Sequence, residues 1–143
     1  DSVASRGLGD VYKRQVDLDI ILWRNKMITT ALGRDGENYA RGYLENKGMK
    51  CIVRNFRSGH GEIDLIVQDG KELVFVEVKT RRNRRYGEPV AAVTKYKQEH
   101  IRYTARIFLL SRGIENKRIR FDVVEVMMEN GREKKIRHIK NAF

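Results

Sequence analysis

Residues 61–79 read GEIDLIVQDGKELVFVEVK, and this stretch decides how the chain folds. The pair Asp69-Gly70 separates two apolar runs and is a strong signal for a two-residue hairpin. The run Leu73–Val76 is apolar on both faces of a strand, which is typical of a strand near the centre of a covered sheet. The stretch therefore predicts two neighbouring strands, Glu62–Gln68 and Glu72–Lys79.

The pattern on either side of this hairpin alternates between the helical and the strand period. Apolar residues recur at helical spacing in two segments, each followed by a glycine, and at strand spacing in three more. The order is therefore α-β-β-β-α-β-β, which predicts an α/β protein with a mixed sheet flanked by helices. The predicted helices cover Thr30–Lys47 and Val93–Arg112, and the further predicted strands cover Met49–Phe56, Arg118–Met128 and Lys134–Ile139.

Composition limits the classes of protein to which this chain can belong. Its 143 residues suit one ordinary domain, and a single cysteine excludes a disulfide framework and suits a reducing cytoplasm. No apolar run approaches the length of a membrane span or of a signal-peptide core. Lys and Arg total 30 against 19 Asp and Glu, so the formal net charge is +11. This charge favours a nucleic-acid partner, and the alternative is a basic surface with no such role.

Residues 1–26 differ from the rest of the chain. They show neither the strand nor the helical period, and so offer no face to bury. Met27 stands just before the first patterned segment. We therefore interpret residues 1–26 as a leader, disordered or not native to the protein, and residues 27–143 as a single domain.

Charged residues interrupt the two apolar strands at positions that favour chemistry. Asp64 lies between Ile63 and Leu65, and Glu77 and Lys79 project from one face of the next strand. The hairpin can bring Asp64 beside Glu77, and such carboxylates suit Mg²⁺ or Mn²⁺, with a lysine to hold water or stabilise a phosphate. The alternative is structural: Lys79 neutralises Glu77, and Asp64 accepts hydrogen bonds from backbone amides.

Basic residues cluster around the same strands. They favour a surface that follows the phosphates of a nucleic acid, although a solvated charge run is the alternative. These candidate nucleic-acid-binding residues are Arg54, Arg57, Arg81, Arg82, Arg84 and Arg85. We interpret Tyr96 and Tyr103 as core or interface residues rather than as platforms for base stacking.

Several motifs in fixed order resemble the bacterial YraN family, which is assigned to the restriction-endonuclease-like superfamily with the archaeal Holliday-junction resolvases. The resemblance covers about residues 32–126 and implies a restriction-endonuclease-like core. The motifs are Gly33–Glu37, Arg54–Arg57, Gly61–Ile66, Phe75–Arg81 and Lys97-Gln98.

The resemblance also implies roles for individual residues. Asp64 and Glu77 would be metal ligands, Lys79 the catalytic lysine and Glu37 a further ligand or water-positioning acid. Gln98 would be an auxiliary residue, although related nucleases place a tyrosine four residues later, where this chain has Arg102.

The glycines beside Glu37 favour the functional interpretation of this acid over a solvent-facing one. Gly33 and Gly36 lack side chains, which would let the first helix approach the sheet or a phosphate closely.

Two functions remain open at this stage, with a third behind them. The first is a Mg²⁺- or Mn²⁺-dependent endonuclease acting on DNA, and the second is a non-catalytic nucleic-acid-binding module that keeps the nuclease fold. The third is an assembly partner whose basic face meets an acidic protein. An enzyme that cuts DNA junctions would need two sites and hence a homodimer.

Overall fold

The computed structural model describes residues 34–59, 61–82, 87–130 and 132–143. Within them the order of elements is the predicted one, with one additional short helix. The first helix, α1, covers residues 34–46. The others are β1 (Lys50–Ser58), β2 (Gly61–Asp69), β3 (Glu72–Arg81), α2 (Pro89–Ala92), α3 (Lys95–Ser111), β4 (Arg118–Glu129) and β5 (Arg132–Ile139). The boundary predicted at residues 26 and 27 lies outside the described residues and stays a prediction.

The strands form one mixed sheet in the order β1-β2-β3-β4-β5. The pairs β1–β2, β2–β3 and β4–β5 are antiparallel, and β3–β4 is parallel. Only the parallel pair needs a long crossover connection, and α3 lies in that connection. The predicted fold class, an α/β protein with a restriction-endonuclease-like core, is confirmed.

The β2–β3 hairpin turns one residue later than Asp69-Gly70 indicated. Asp69 pairs with Glu72, so the two loop residues are Gly70 and Lys71. Gly70 has a φ of 58°, a conformation in which glycine carries no steric penalty.

The main core lies between the sheet and α3. Phe108 of α3 packs edge-on against Phe75, and Phe75 stacks on Phe121 of the adjacent strand. The run Leu73–Val76 of β3 is buried throughout, as its apolar pattern predicted for a strand at the centre of the sheet. Within the described ranges, no helix combines the length and the apolar character that crossing a membrane requires.

A close approach holds α1 against β3. A Cβ atom added to Gly36 would lie 1.9 Å from Thr80 Oγ1, so only glycine fits at this point. The close contact expected for this glycine is confirmed, whereas Gly33 lies outside the described residues. The helix ends before Gly48, which has a φ of 92°.

Candidate functional site

Asp64 lies where β2 and β3 begin to separate. The last pair of their ladder is Leu65 with Val76, which leaves Asp64 and Glu77 facing each other at the next position. Asp64 Oδ2 accepts a hydrogen bond of 2.7 Å from the backbone N–H of Val78. The hairpin thus brings the two predicted acids together, and it also supplies the backbone bond of the structural alternative.

Beside this end of the hairpin, β1 and β2 depart from regular strand alternation. Ile63 and Ile66 both pack in the core beneath α3, although regular alternation would place residues three apart on opposite faces. Val53 and Phe56 of β1 behave in the same way. Between them, Asn55 has a φ of 53°, in the left-handed region, which asparagine tolerates better than most residues.

Glu77 is buried and is contacted by two lysines. Its Oε1 lies 3.4 Å from Lys79 Nζ and 2.7 Å from Lys97 Nζ. Burial opposes the charge on Lys97, but the attraction of Glu77 and Asp64 outweighs it and raises the pKa of Lys97. The predicted pair of Glu77 with Lys79 is therefore present, and a second cation from the first turn of α3 joins it.

The surroundings of Asp64 disfavour the ionised form of its carboxyl group. Part of the residue stays exposed, but protein atoms surround its carboxyl group. This desolvation, together with repulsion from Glu77 and Glu37, raises the pKa of Asp64 well above its usual value. The hydrogen bond from Val78 and the charge of Lys97 oppose this rise without cancelling it. Asp64 is thus an acid whose ionised form needs a further positive charge.

Glu37 reaches the same site from α1. Burial raises the pKa of Glu37, with repulsion from Glu62 and Glu77, while a hydrogen bond from the Asn55 side chain and the charge of Arg54 lower it. The three acids Glu37, Asp64 and Glu77 therefore act on one another electrostatically, as expected if they share one site.

The donor set suits a small hard cation. Within the described ranges, no three His, Cys, Asp or Glu side chains are placed closely enough to enclose a metal ion. Mg²⁺, however, is held by one or two protein carboxylates together with waters and substrate phosphates, which matches the pair Asp64 and Glu77. The disfavoured ionised form of Asp64 also suits a cation site, because a bound cation would stabilise that form.

The start of α3 is fixed by two side chains. Thr94 caps the helix by accepting the N–H of Lys97 at 3.2 Å, and Gln98 Nε2 donates to the carbonyl of Val93 at 3.0 Å. Gln98 thus holds the end of the helix that carries Lys97. Its auxiliary role in chemistry stays a prediction.

The basic residues divide into two groups. Arg82 is exposed and Arg57 forms a surface pair with Glu62 at 3.5 Å, so both are accessible to a phosphate backbone. Arg81, by contrast, is only 10% exposed, donates to the carbonyl of Gly87 and lies 4.0 Å from Glu125. Contacts within the protein therefore hold the side chain of Arg81.

The remaining basic candidates can be placed more briefly. Arg54 donates to Asn38 Oδ1 of α1 through Nη2, and its Nε is buried with no hydrogen-bond partner in the described part of the chain. Arg84 and Arg85 lie outside the described residues. Their assignment to nucleic-acid binding stays a prediction.

Two residues of the site lie within the motifs, but the sequence assigned neither of them a role. Lys97 places a cation in the first turn of a helix, where the helix dipole disfavours one, and this was a usable signal. Asn55 gives no comparable signal, since its left-handed conformation and its bond to Glu37 arise only in the folded chain.

Comparison with known proteins agrees with the order of motifs around this site. Residues 36–126 match the model of the uncharacterised protein family UPF0102. A UPF0102 protein of Rhodococcus jostii (strain RHA1) is 49% identical over 113 residues, which are 79% of this chain and 96% of the relative. A UPF0102 protein of Geobacter sulfurreducens is 46% identical over 112 residues, or 78% of this chain and 88% of the relative. The chain therefore belongs to the UPF0102 family, in agreement with the resemblance to YraN proteins that its motifs indicated.

Proposed function

We propose that this protein is a Mg²⁺- or Mn²⁺-dependent phosphodiesterase that cleaves DNA, including branched or junction DNA. The observation that carries the proposal is the meeting of Asp64, Glu77 and two lysines where β2 and β3 separate, with Glu37 near enough to repel the charge of Asp64. A structural ion pair needs one acid and one base, whereas here burial and repulsion from neighbouring acids raise the pKa values of Asp64 and Glu37. Such an arrangement costs stability and is typical of a functional site.

The residues of the site would have different roles in the reaction. Asp64 and Glu77 would hold the metal ion, which when bound activates water and neutralises charge on a phosphate. Lys79 is partly exposed beside Glu77 and can orient water or donate to a phosphate oxygen. Glu37, held by Asn55, can accept a hydrogen bond from that water.

The surroundings of the site suit a nucleic acid. Arg57 and Arg82 are exposed, and the chain as a whole carries a formal net charge of +11. Arginines at the margin of a metal site bind phosphates without reading sequence, which fits a substrate recognised by its backbone and shape. A single cysteine suits a reducing compartment, and we propose the cytoplasm as the place of this activity.

A non-catalytic nucleic-acid-binding module is the second candidate, and one observation favours it. Glu77 already has two ammonium partners, so its charge is balanced without a metal ion. A protein that had lost catalysis could keep this arrangement as a buried ion cluster.

Cleavage assays separate the two candidates. The wild type is incubated with linear, flapped and four-way DNA, with RNA of the same sequences, and with Mg²⁺, Mn²⁺ or chelator. We expect metal-dependent cleavage of DNA that falls by about 100-fold or more in Glu77→Ala and Lys79→Ala. Glu45→Ala, which removes an exposed acid of α1 paired with Arg41, is the control and should cleave normally. Binding without cleavage in every condition would establish the module instead.

A further inference from the structure

One side of α3 carries a second apolar stripe, separate from the side that packs on the sheet. The residues that pack on the sheet include Ile101, Ala105 and Phe108. The second stripe recurs at spacings of four, three, four and three residues, the spacing of a seam between two helices. Its members are Tyr96, His100, Tyr103, Ile107 and Leu110.

The stripe faces solvent. Tyr96 is 73% exposed, Tyr103 46% and Leu110 75%, and these are three of the five large hydrophobic residues exposed in the described part of the chain. The ring of Tyr96 packs on that of His100 with 4.2 Å between centroids, which makes this end of the stripe a continuous surface. Aromatic residues clustered in this way mark a surface that binds another macromolecule.

We propose that this stripe binds the same stripe of a second copy of the chain, with the two α3 helices antiparallel and a two-fold axis near Tyr103. Heptad spacing on one helix suits packing against a second helix, and α3 of another copy is such a helix. In this arrangement Tyr96 of each copy lies near Leu110 of the other, and the two copies of Tyr103 lie near the axis. The contact is closed and self-complementary, as a dimer interface requires.

The charges that flank the stripe favour the antiparallel direction. Glu99 and Arg106 are exposed, lie seven residues apart, and so flank the same side of the stripe. An antiparallel pair places Glu99 of each copy beside Arg106 of the other, which forms two ion pairs. A parallel pair would instead place Glu99 beside Thr104 and Arg106 beside Ser111 of the other copy, so neither ion pair would form.

Nucleic acid is the other occupant to consider, and the stripe suits it less well. Glu99 would repel a phosphate backbone, and Leu110 at the far end cannot stack on a base. Arg102, the cation nearest the middle of the helix, lies over the rings of Phe121 and Phe143.

Dimerisation through this stripe would hold two candidate sites in one particle. Lys97 lies six residues before Tyr103, so the two copies of Lys97 would stand about 18 Å apart along the helix direction. The dimer does not depend on the proposed cleavage, and a binding module could form it equally well.

Sedimentation equilibrium on the full chain tests the proposal. We expect a concentration-dependent dimer in the wild type, with a dissociation constant raised at least tenfold in Tyr103→Glu and Leu110→Glu. Ile52→Glu is the control, since Ile52 is exposed on β1, away from the stripe, and should not change the dissociation constant. A wild type that stays monomeric at several hundred micromolar would overturn the proposal. So would a wild-type monomer whose DNA affinity falls in Tyr103→Ala, because nucleic acid would then occupy the stripe.

A charge exchange tests the antiparallel direction itself. Glu99→Arg and Arg106→Glu should each weaken self-association at least tenfold, since each variant brings like charges together twice. A mixture of the two variants should associate as well as the wild type, because every flanking contact is then attractive. If the mixture associates no better than either variant alone, this antiparallel register is wrong.

Discussion

Two opposing effects act on the carboxyl group of Asp64. The backbone of Val78 holds the carboxyl in place, while burial and the charges of Glu77 and Glu37 disfavour its ionised form. A folded-state pKa above the unfolded value means that ionisation costs stability as the pH rises through and beyond the unfolded value. At neutral pH, therefore, Asp64 destabilises the metal-free fold.

Asp64→Asn should leave the metal-free protein as stable as the wild type or more stable at pH 7. The amide keeps an oxygen for Val78 and removes the charge. Added Mg²⁺ or Mn²⁺ should stabilise the wild type, by about 1.4 kcal/mol at ten times the dissociation constant, and the variant much less. Denaturant unfolding in chelator and in millimolar metal measures both effects.

The control for this experiment is Asp35→Asn, which removes an exposed carboxylate of α1. It should respond to metal as the wild type does. A loss of roughly 3–5 kcal/mol by Asp64→Asn in chelator, with no metal-dependent difference from the wild type, would identify Asp64 as half of a buried structural pair.

Gly36→Ala should destabilise the fold by about 1–3 kcal/mol, because the new Cβ would collide with Thr80. Gly42→Ala in the same helix meets no atom within 4 Å and should gain up to about 1 kcal/mol from helix propensity. Adding Thr80→Ala should recover much of the loss, whereas Thr80→Ser keeps the colliding oxygen and should not. Equal stability of Gly36→Ala and Gly42→Ala in thermal unfolding would rule out the close contact.

At the scale of the element, the first half of β4 carries apolar residues on one face and charged residues on the other. Phe121 packs in the core, and the next residue, Asp122, points to the other face and is fully buried. Asp122 accepts hydrogen bonds from Arg120 at 2.8 Å, His138 at 2.7 Å and the backbone of Asn141 at 2.9 Å. Burial would raise the pKa of Asp122, but these bonds outweigh it and lower the pKa.

The stability of the fold should therefore fall as the pH drops below about 4. A depressed folded-state pKa contributes stability above the unfolded value, and this stability is lost as the pH falls through the folded value. Urea unfolding between pH 7 and pH 3 should show a shallower fall in Asp122→Asn than in the wild type. Asp69→Asn, a more exposed partner of Arg120, should lose less stability at pH 7 than Asp122→Asn.

At the scale of the molecule, cations stand at both ends of the central strands, but the candidate site lies at only one. The proposed function therefore predicts that the position of the cations affects DNA binding more than the net charge of the chain does. Glutamine at Arg82, Arg84 and Arg85 should flatten the salt dependence of duplex DNA binding by about 0.9 for each lost contact.

The matched control removes the same number of charges at the opposite end of β3 and β4. Lys71, Lys117 and Arg118 are exposed there, and their replacement by glutamine should change the slope much less. Equal slopes in the two triple variants would show that overall charge, and not this loop, governs binding.

The sequence by itself determined the order and type of the elements and the centre of the sheet. The apolar run Leu73–Val76 could only be a doubly covered strand, and the fixed spacing within β3 placed Glu77 and Lys79 on one face. These features depend on local periodicity, which a single sequence displays directly.

The tertiary structure alone decided what surrounds Asp64 and Glu77. Asn55 adopts its left-handed conformation within the paired strand β1, and Lys97 meets Glu77 because α3 packs on the sheet with its first turn beside this residue. Arg81, within a basic run in the sequence, turns inward towards Glu125. The two residues are 20 positions apart in the contact of Glu77 with Lys97 and 44 in that of Arg81 with Glu125. Such contacts depend on packing and register, and no local pattern carries that information.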